Sequence, residues 1–285
     1  MAALYGLGAA ILFGGVFVAL RWAYRVTGVG STQAAAVSVL TAAVLVGGYA
    51  VVSGAFAGIE LRSLTPYVLA GVCAPAFSHL AMYRSIDRFG GTRTAVVLGL
   101  VPVLSAVAAW LILGETPGWW VGLGAVLVVL AGILVVDPRA RSGDASTGPL
   151  LAILATVFFA GRDIFIRGAS EPAPPVVGSA TALTTAAVLL VAVNLVAYRT
   201  EVRAMIRGGA RPLLVPGVLM GFGFTSLVAG LSIGKVAIVA TMSATQSIWA
   251  VLFARLVLDR SEWSRQVLVA AVIAAAGGVA VTLGR

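Results

Sequence analysis

Ten apolar runs, each close to the roughly 20 residues that a helix needs to cross hydrocarbon, follow one another along the chain. They lie near 3–20, 31–52, 66–84, 92–112, 118–136, 149–167, 176–197, 212–232, 236–255 and 266–283. Runs such as WVGLGAVLVVLAGILVV do not alternate polar with apolar residues, so spanning helices are expected rather than barrel strands. A water-soluble fold would carry roughly a quarter of its residues as surface charge. Here 10% are charged and 60% hydrophobic. The first run begins at Ala2 and the others continue to Leu283, which is not the pattern of a leader ahead of a soluble protein. An all-α integral protein of the cell membrane with ten transmembrane helices is predicted.

The same residues narrow the chemistry. Cys73 is the only cysteine and His79 the only histidine, so no internal disulfide and no multi-ligand metal site is expected. No phosphate-binding glycine loop is found, which argues against a self-contained ATP-driven pump, and no cofactor is expected. The net charge of +9 comes from basic residues set singly at the ends of apolar runs. That pattern suits lipid headgroups and the membrane potential better than nucleic acid.

The longest polar interruption, DPRARSGDASTGP at 137–149, leaves five runs on each side. Residues 1–138 and 149–285 are expected as two five-helix repeats joined by a linker at 139–148. At an offset of 144, Pro102 meets Gln246, Glu115 meets Asp259 and Trp119 meets Trp263. Nearer the start the offset is 146, bringing Phe17 opposite Asp163 and Arg21 opposite Arg167. Chance similarity between Ala-, Val-, Leu- and Gly-rich runs is the competing explanation, but a matched charged turn and tryptophan carry more information than that background. With an odd number of spans per half, the second half enters the membrane inverted. Inverted repeats are a recurrent plan of secondary transporters, with solute held near the midplane. Gly122, Gly124 and Gly132 are read as sites of close helix packing.

The stretch VPVLSAVAAWLILGETPGWWVGLGAVLVVLAGILVV, with Pro102, Gly114, Glu115, Trp120, Gly124 and Gly132, resembles the EamA-like ten-helix branch of the drug/metabolite transporter superfamily. The second copy departs from that pattern, with Gln246 for the proline and Leu258 and Asp259 for Gly-Glu. The resemblance implies a carrier of amino acids, nucleobases, other metabolites or drugs through a cavity between inverted bundles. It also implies that Glu115 shapes a tight connection rather than acting chemically, and that both termini are cytoplasmic. Charge points the other way: 14 of the 19 basic residues fall on the face opposite the termini, and basic loops face the cytoplasm.

Several polar residues interrupt the apolar runs. Arg162 and Asp163 lie inside FFAGRDIFIRG. A charge facing lipid is costly, so both are expected to look inward or into an interfacial cavity, and, being about 100° apart on a helix, they need not pair. Arg162 is a candidate for an anionic solute group, and Asp163 for a cationic group or a proton. Interfacial anchoring, with arginine snorkelling to headgroups, is the competing role. Pro75, His79 and Tyr83 recur at intervals of four on one expected helix face. His79 suits solute hydrogen bonding or proton relay, and equally a packing role between helices. In ATMSATQSIW, Thr241, Thr245 and Trp249 form a stripe flanked by Gln246, whose amide needs a protein partner or a wet cavity. Asn194 poses the same choice nearer a membrane edge. Trp110 and Trp249 are candidates for lining a pocket, whereas Trp22, Trp119 and Trp120 suit the interface.

The combined expectation is a secondary transporter that moves a small metabolite or drug-like organic solute by alternating access, with a proton as candidate coupling ion and membrane lipids as neighbours. The rivals are an integral-membrane lipid-modifying enzyme and a non-transporting scaffold.

Overall fold

The computed structural model describes residues 1–89, 97–98, 100–116, 118–134, 147–169 and 171–257, and in the last run 269, 272–273, 276–277 and 280. Most of the expected linker and of the tenth span, with Leu258, Asp259 and Trp263, lies outside the described residues.

Every regular element among the described residues is a helix. The order is α1 (Ala2–Thr27), α2 (Ser31–Val52), α3 (Leu61–Gly71), a wide-turn segment Val72–Phe77, α4 (Ser78–Phe89), α5 (Val101–Leu113), α6 (Trp119–Leu134) and α7 (Gly148–Arg167). There follow α8 (Pro175–Ala197), α9 (Arg199–Gly208), a short turn of helix at Arg211–Leu213, α10 (Leu214–Ile233), α11 (Val236–Ala244) and α12 (Gln246–Val257). Six helical stretches are long and apolar enough to cross a membrane: Ala2–Thr27, Ser31–Val52, Leu61–Ser85, Gly148–Arg167, Pro175–Ala197 and Arg211–Ile233. Three shorter apolar stretches accompany them, at Val101–Leu113, Trp119–Ala131 and Val236–Ala250. The chain is a multi-span, all-α integral membrane protein.

Local chemistry explains the breaks. Pro75 has no N–H to donate and its ring crowds the preceding turn, and at Ala74 the backbone leaves the helix (φ −148°, ψ 127°), so the third span bends between α3 and α4. At the end of α5, Gly114 takes φ 68°, a left-handed cap that favours glycine. The ninth run divides at Thr245, and α12 starts at Gln246. At the offset of 144, that is where α5 starts, with Pro102 in its first turn. The connection after α8, read from sequence as a loop, contains α9, whose Arg199 donates to the Leu195 carbonyl at 2.7 Å.

Bonds between helix ends sort those ends onto two faces. On one face the end of α5 meets the end of α7 and the start of α11, through Glu115 with Arg167 and the Val236 amide, and Ala2 lies against Gly234. On the other, Ser85 donates to the Gly148 carbonyl at 2.9 Å and Asn194 to the Thr32 carbonyl at 3.4 Å. Thus α1 begins on the face where α7 ends.

Packing follows a crossed pattern. The first span, α1, lies mainly against α10, α11 and α12, whereas α7 lies against α3, the bent segment, α4 and α5. Between them α2 pairs with α8. Lipid removes the hydrophobic drive between helices, so close backbone approach carries the packing. At Gly71 any side chain would run into the backbone of Ala182 in α8. Among the described residues, nothing lies within 4 Å of where a Cβ at Gly122 would be.

Candidate functional site

Arg162 and Asp163 are both buried in α7, at 9% and 1% exposure. They pair with each other, which their angular separation had left open. The arginine stem is long enough to fold back, so that Nε and Nη2 both donate to Asp163 Oδ1, at 2.9 and 2.8 Å. The other carboxylate oxygen accepts from Ser105 Oγ of α5 at 3.0 Å. Both oxygens are thereby satisfied, which a carboxylate removed from water requires. Asp163 stands four residues before Arg167, about 6 Å along the axis from that end of the helix.

Aromatic rings continue the cluster toward α4. The Arg162 guanidinium sits 5.3 Å over the Phe159 ring, within cation–π range. Phe159 in turn lies 5.9 Å from His79, and His79 meets Tyr83 edge-on at 5.7 Å. His79 Nδ1 is 3.2 Å from Ser78 Oγ. His79 and Tyr83 therefore share a face as the spacing predicts, while Pro75 falls in the bend and leaves that face. Ser105 and Phe159 are the members of this cluster that sequence reasoning missed. Ser105 is 58 residues from Asp163, and only the depth of each residue within its run hinted that they could meet.

The ninth-span candidates form a second group. Thr241 and Thr245 are buried. Thr245 donates to the Met242 carbonyl at 2.7 Å, whereas the enclosed Thr241 hydroxyl has no partner among the described residues. Trp249 lies 6.2 Å from Phe253, and α1 comes so close here that a side chain at Gly14 would meet Trp249 Cβ. Gln246 is half-buried beside them. No hydrogen bond among the described residues joins this group to the ion pair. Trp110 is not drawn into either group: it is 54% exposed and sits about 140° around α5 from Ser105. Asn194 donates to the carbonyls of Leu190 and Thr32, and its own carbonyl oxygen is unpaired.

Glu115 takes the shaping role that the family resemblance implied. Its Oε1 accepts from Arg167 at 2.6 Å and its Oε2 from the Val236 backbone amide at 2.9 Å. One carboxylate thus ties the turn after α5 to the end of α7 and to the first turn of α11.

Among the described residues no three His, Cys, Asp or Glu side chains gather as metal ligands. The chemistry on offer is reversible: a buried ion pair, a hydroxyl and an aromatic surface between helices from both halves of the chain.

A solved structure described as "Crystal structure of protein" superposes with a TM-score of 0.79 over 99% of this chain and 96% of that one, at 17% identity, a likeness of fold. No curated protein sequence matches significantly. The profile of the EamA-like transporter family matches residues 1–137 and 146–283, nearly the whole length, and the chain belongs to that family.

Proposed function

We propose that the protein is a secondary carrier with ten spans in two inverted five-helix repeats, moving a small organic solute by alternating access around the Arg162–Asp163 site. The observation that carries this reading is the ion pair itself, held within α7 against α5 and α4. Charges inside a membrane segment are costly and mark solute or ion paths by default. Family membership and the crossed packing of α1 and α7 support the inverted arrangement. So does the matching start of α5 and α12 at an offset of 144. Asp163 is the candidate proton carrier and the Thr241 hydroxyl, unpaired among the described residues, a candidate solute contact. Rocking of the halves opens the site to one side at a time, and a solute drives the change only through unequal affinity for the two states.

The test is uptake by proteoliposomes of a mixed panel of amino acids, nucleobases, carboxylates and amphipathic cations, read by mass spectrometry with and without a proton gradient. Accumulation against a gradient establishes a coupled carrier, and equilibration without accumulation a facilitator. Folded protein that moves nothing returns the chain to the scaffold reading, and new product masses return it to the enzyme reading.

A further inference from the structure

We propose that Arg162 recognises the carboxylate of a small organic anion, that Asp163 is the counter-ion this anion displaces, and that each anion binds together with one proton taken up by Asp163. The inference rests on the carrier reading above and names the solute class of that site.

The occupancy of the two side chains is unequal. Asp163 is 1% exposed with both oxygens bonded, Oδ1 twice by Arg162 and Oδ2 by Ser105. A guanidinium has five N–H donors, and among the described residues Arg162 uses only Nε and Nη2. The Arg162 side chain keeps 10% of its surface exposed against 1% for Asp163, so the open edge of the pair belongs to the guanidinium. A solute therefore meets the cationic edge of the pair before the anionic one. That order selects an anion over an ammonium, and the planar donor fork suits a carboxylate.

Charge balance then couples the anion to a proton. Empty, the pair is neutral. An anion alone would leave one negative charge in a low-dielectric site, and a proton on Asp163 alone would leave one positive charge; together they restore neutrality. When the solute carboxylate takes the Arg162 donors, Oδ1 loses both of its hydrogen bonds and becomes the oxygen to which the proton binds. Ser105 keeps its bond to Oδ2. One O–H bond forms, and two N–H donors pass from Asp163 to the solute.

The surroundings leave Asp163 as the acid for this step. On the helices packed against α7, the other ionisable groups are Arg62 and Tyr67 in α3, Cys73 in the bent segment and His79, Tyr83, Arg84, Asp87 and Arg88 in α4. Arg62 and Arg84 are exposed, and Asp87 and Arg88 follow Ser85, which meets the start of α7, at the opposite end of that helix from Asp163. Glu115 and Arg167 are closed on each other at the membrane face, where Lys235 approaches the Thr116 carbonyl. Neither α5, α10 nor α11 carries an ionisable side chain. The Phe159, His79 and Tyr83 rings beside the guanidinium fit a solute with a planar or apolar body.

Calorimetry on the purified protein tests this directly, with hippurate, phenylacetate and shikimate as carboxylate probes, and phenylalanine and phenethylamine as zwitterion and cation. Titration in buffers of different ionisation enthalpy counts the protons. The expected result is carboxylate binding with one proton taken up per anion, strengthening about tenfold for each unit of falling pH over the range in which that proton is taken up. His79→Gln should keep the proton count. The neutral pair R162Q/D163N, which leaves no unpaired charge to unfold the helix, should lose carboxylate binding at every pH. The proposal is overturned if none of the three carboxylates binds, if phenylalanine or phenethylamine binds more tightly, if no proton is taken up, if H79Q binds a carboxylate without taking up a proton, or if the double variant binds like the wild type. Carboxylate binding with proton uptake but no movement across proteoliposomes would leave this inference standing and remove the carrier reading. Transport confined to solutes without a carboxylate would do the reverse.

Discussion

The first helices of the two halves, α1 and α7, align at an offset of 146, and where α7 carries Arg162 and Asp163, α1 carries Val16 and Phe17. Val16 is buried at 5% exposure and Phe17 is 44% exposed, on an apolar helix whose neighbours are α10 to α12. Asp163, at the place of Phe17, is enclosed between α7 and α5 with every oxygen bonded. α7 meets a second helix that supplies a hydroxyl to its carboxylate, whereas at the aligned place α1 carries two apolar side chains. The ion pair is carried by α7 alone, while the hydroxyl and part of the aromatic surface around it come from the other half of the chain.

Removing one member of the pair should have the largest effect. Asp163→Ala leaves a buried arginine without its counter-charge, a loss of about 3–5 kcal/mol, whereas R162Q/D163N should recover most of the folded yield; thermal unfolding in detergent compares them. Carrying the acid to the other helix comes next. Phe17→Asp places a carboxylate at a 44% exposed position of an apolar stretch, at up to about 2.5–3.5 kcal/mol near the bilayer centre, and should appear as reduced membrane insertion. Gly71→Val, forced against the Ala182 backbone, should cost about 1–3 kcal/mol by overpacking, read as a lower melting temperature. His79→Ala removes ring contacts to Tyr83 and Phe159 worth about 0.5–1.5 kcal/mol, and should weaken solute binding more than folding. Gly122→Ala, with nothing among the described residues within 4 Å of the new methyl, should stay within about 0.5 kcal/mol of the parent.

The sequence made the spans legible because length and apolarity alone decide what can cross a bilayer. It also located the pair in α7, since two charges inside an apolar run stand out against so bare a background. Orientation around each helix was harder to read. Trp110 sits at pocket depth within its run, yet it is more than half exposed, because depth fixes height in the membrane and not which side of the helix faces a neighbour. The 100° step between Arg162 and Asp163 describes their Cβ directions, and the flexible arginine stem overrides it. Ser105 looked like one more small residue in VPVLSAVAAW, and only tertiary packing reveals the acid opposite it. The helix α9 went unread because its run is too short and charged to span, although Arg199, Arg203 and Arg207 recur at the four-residue interval of a helix face.

The most direct test of the central claim, that solute crosses at the α7 ion pair, is to measure uptake by wild-type and R162Q/D163N proteoliposomes side by side, with the folded fraction of each determined before reconstitution. The account predicts that the double variant folds and inserts like the wild type but moves no solute above empty liposomes. Uptake by the folded double variant at the wild-type rate would contradict it.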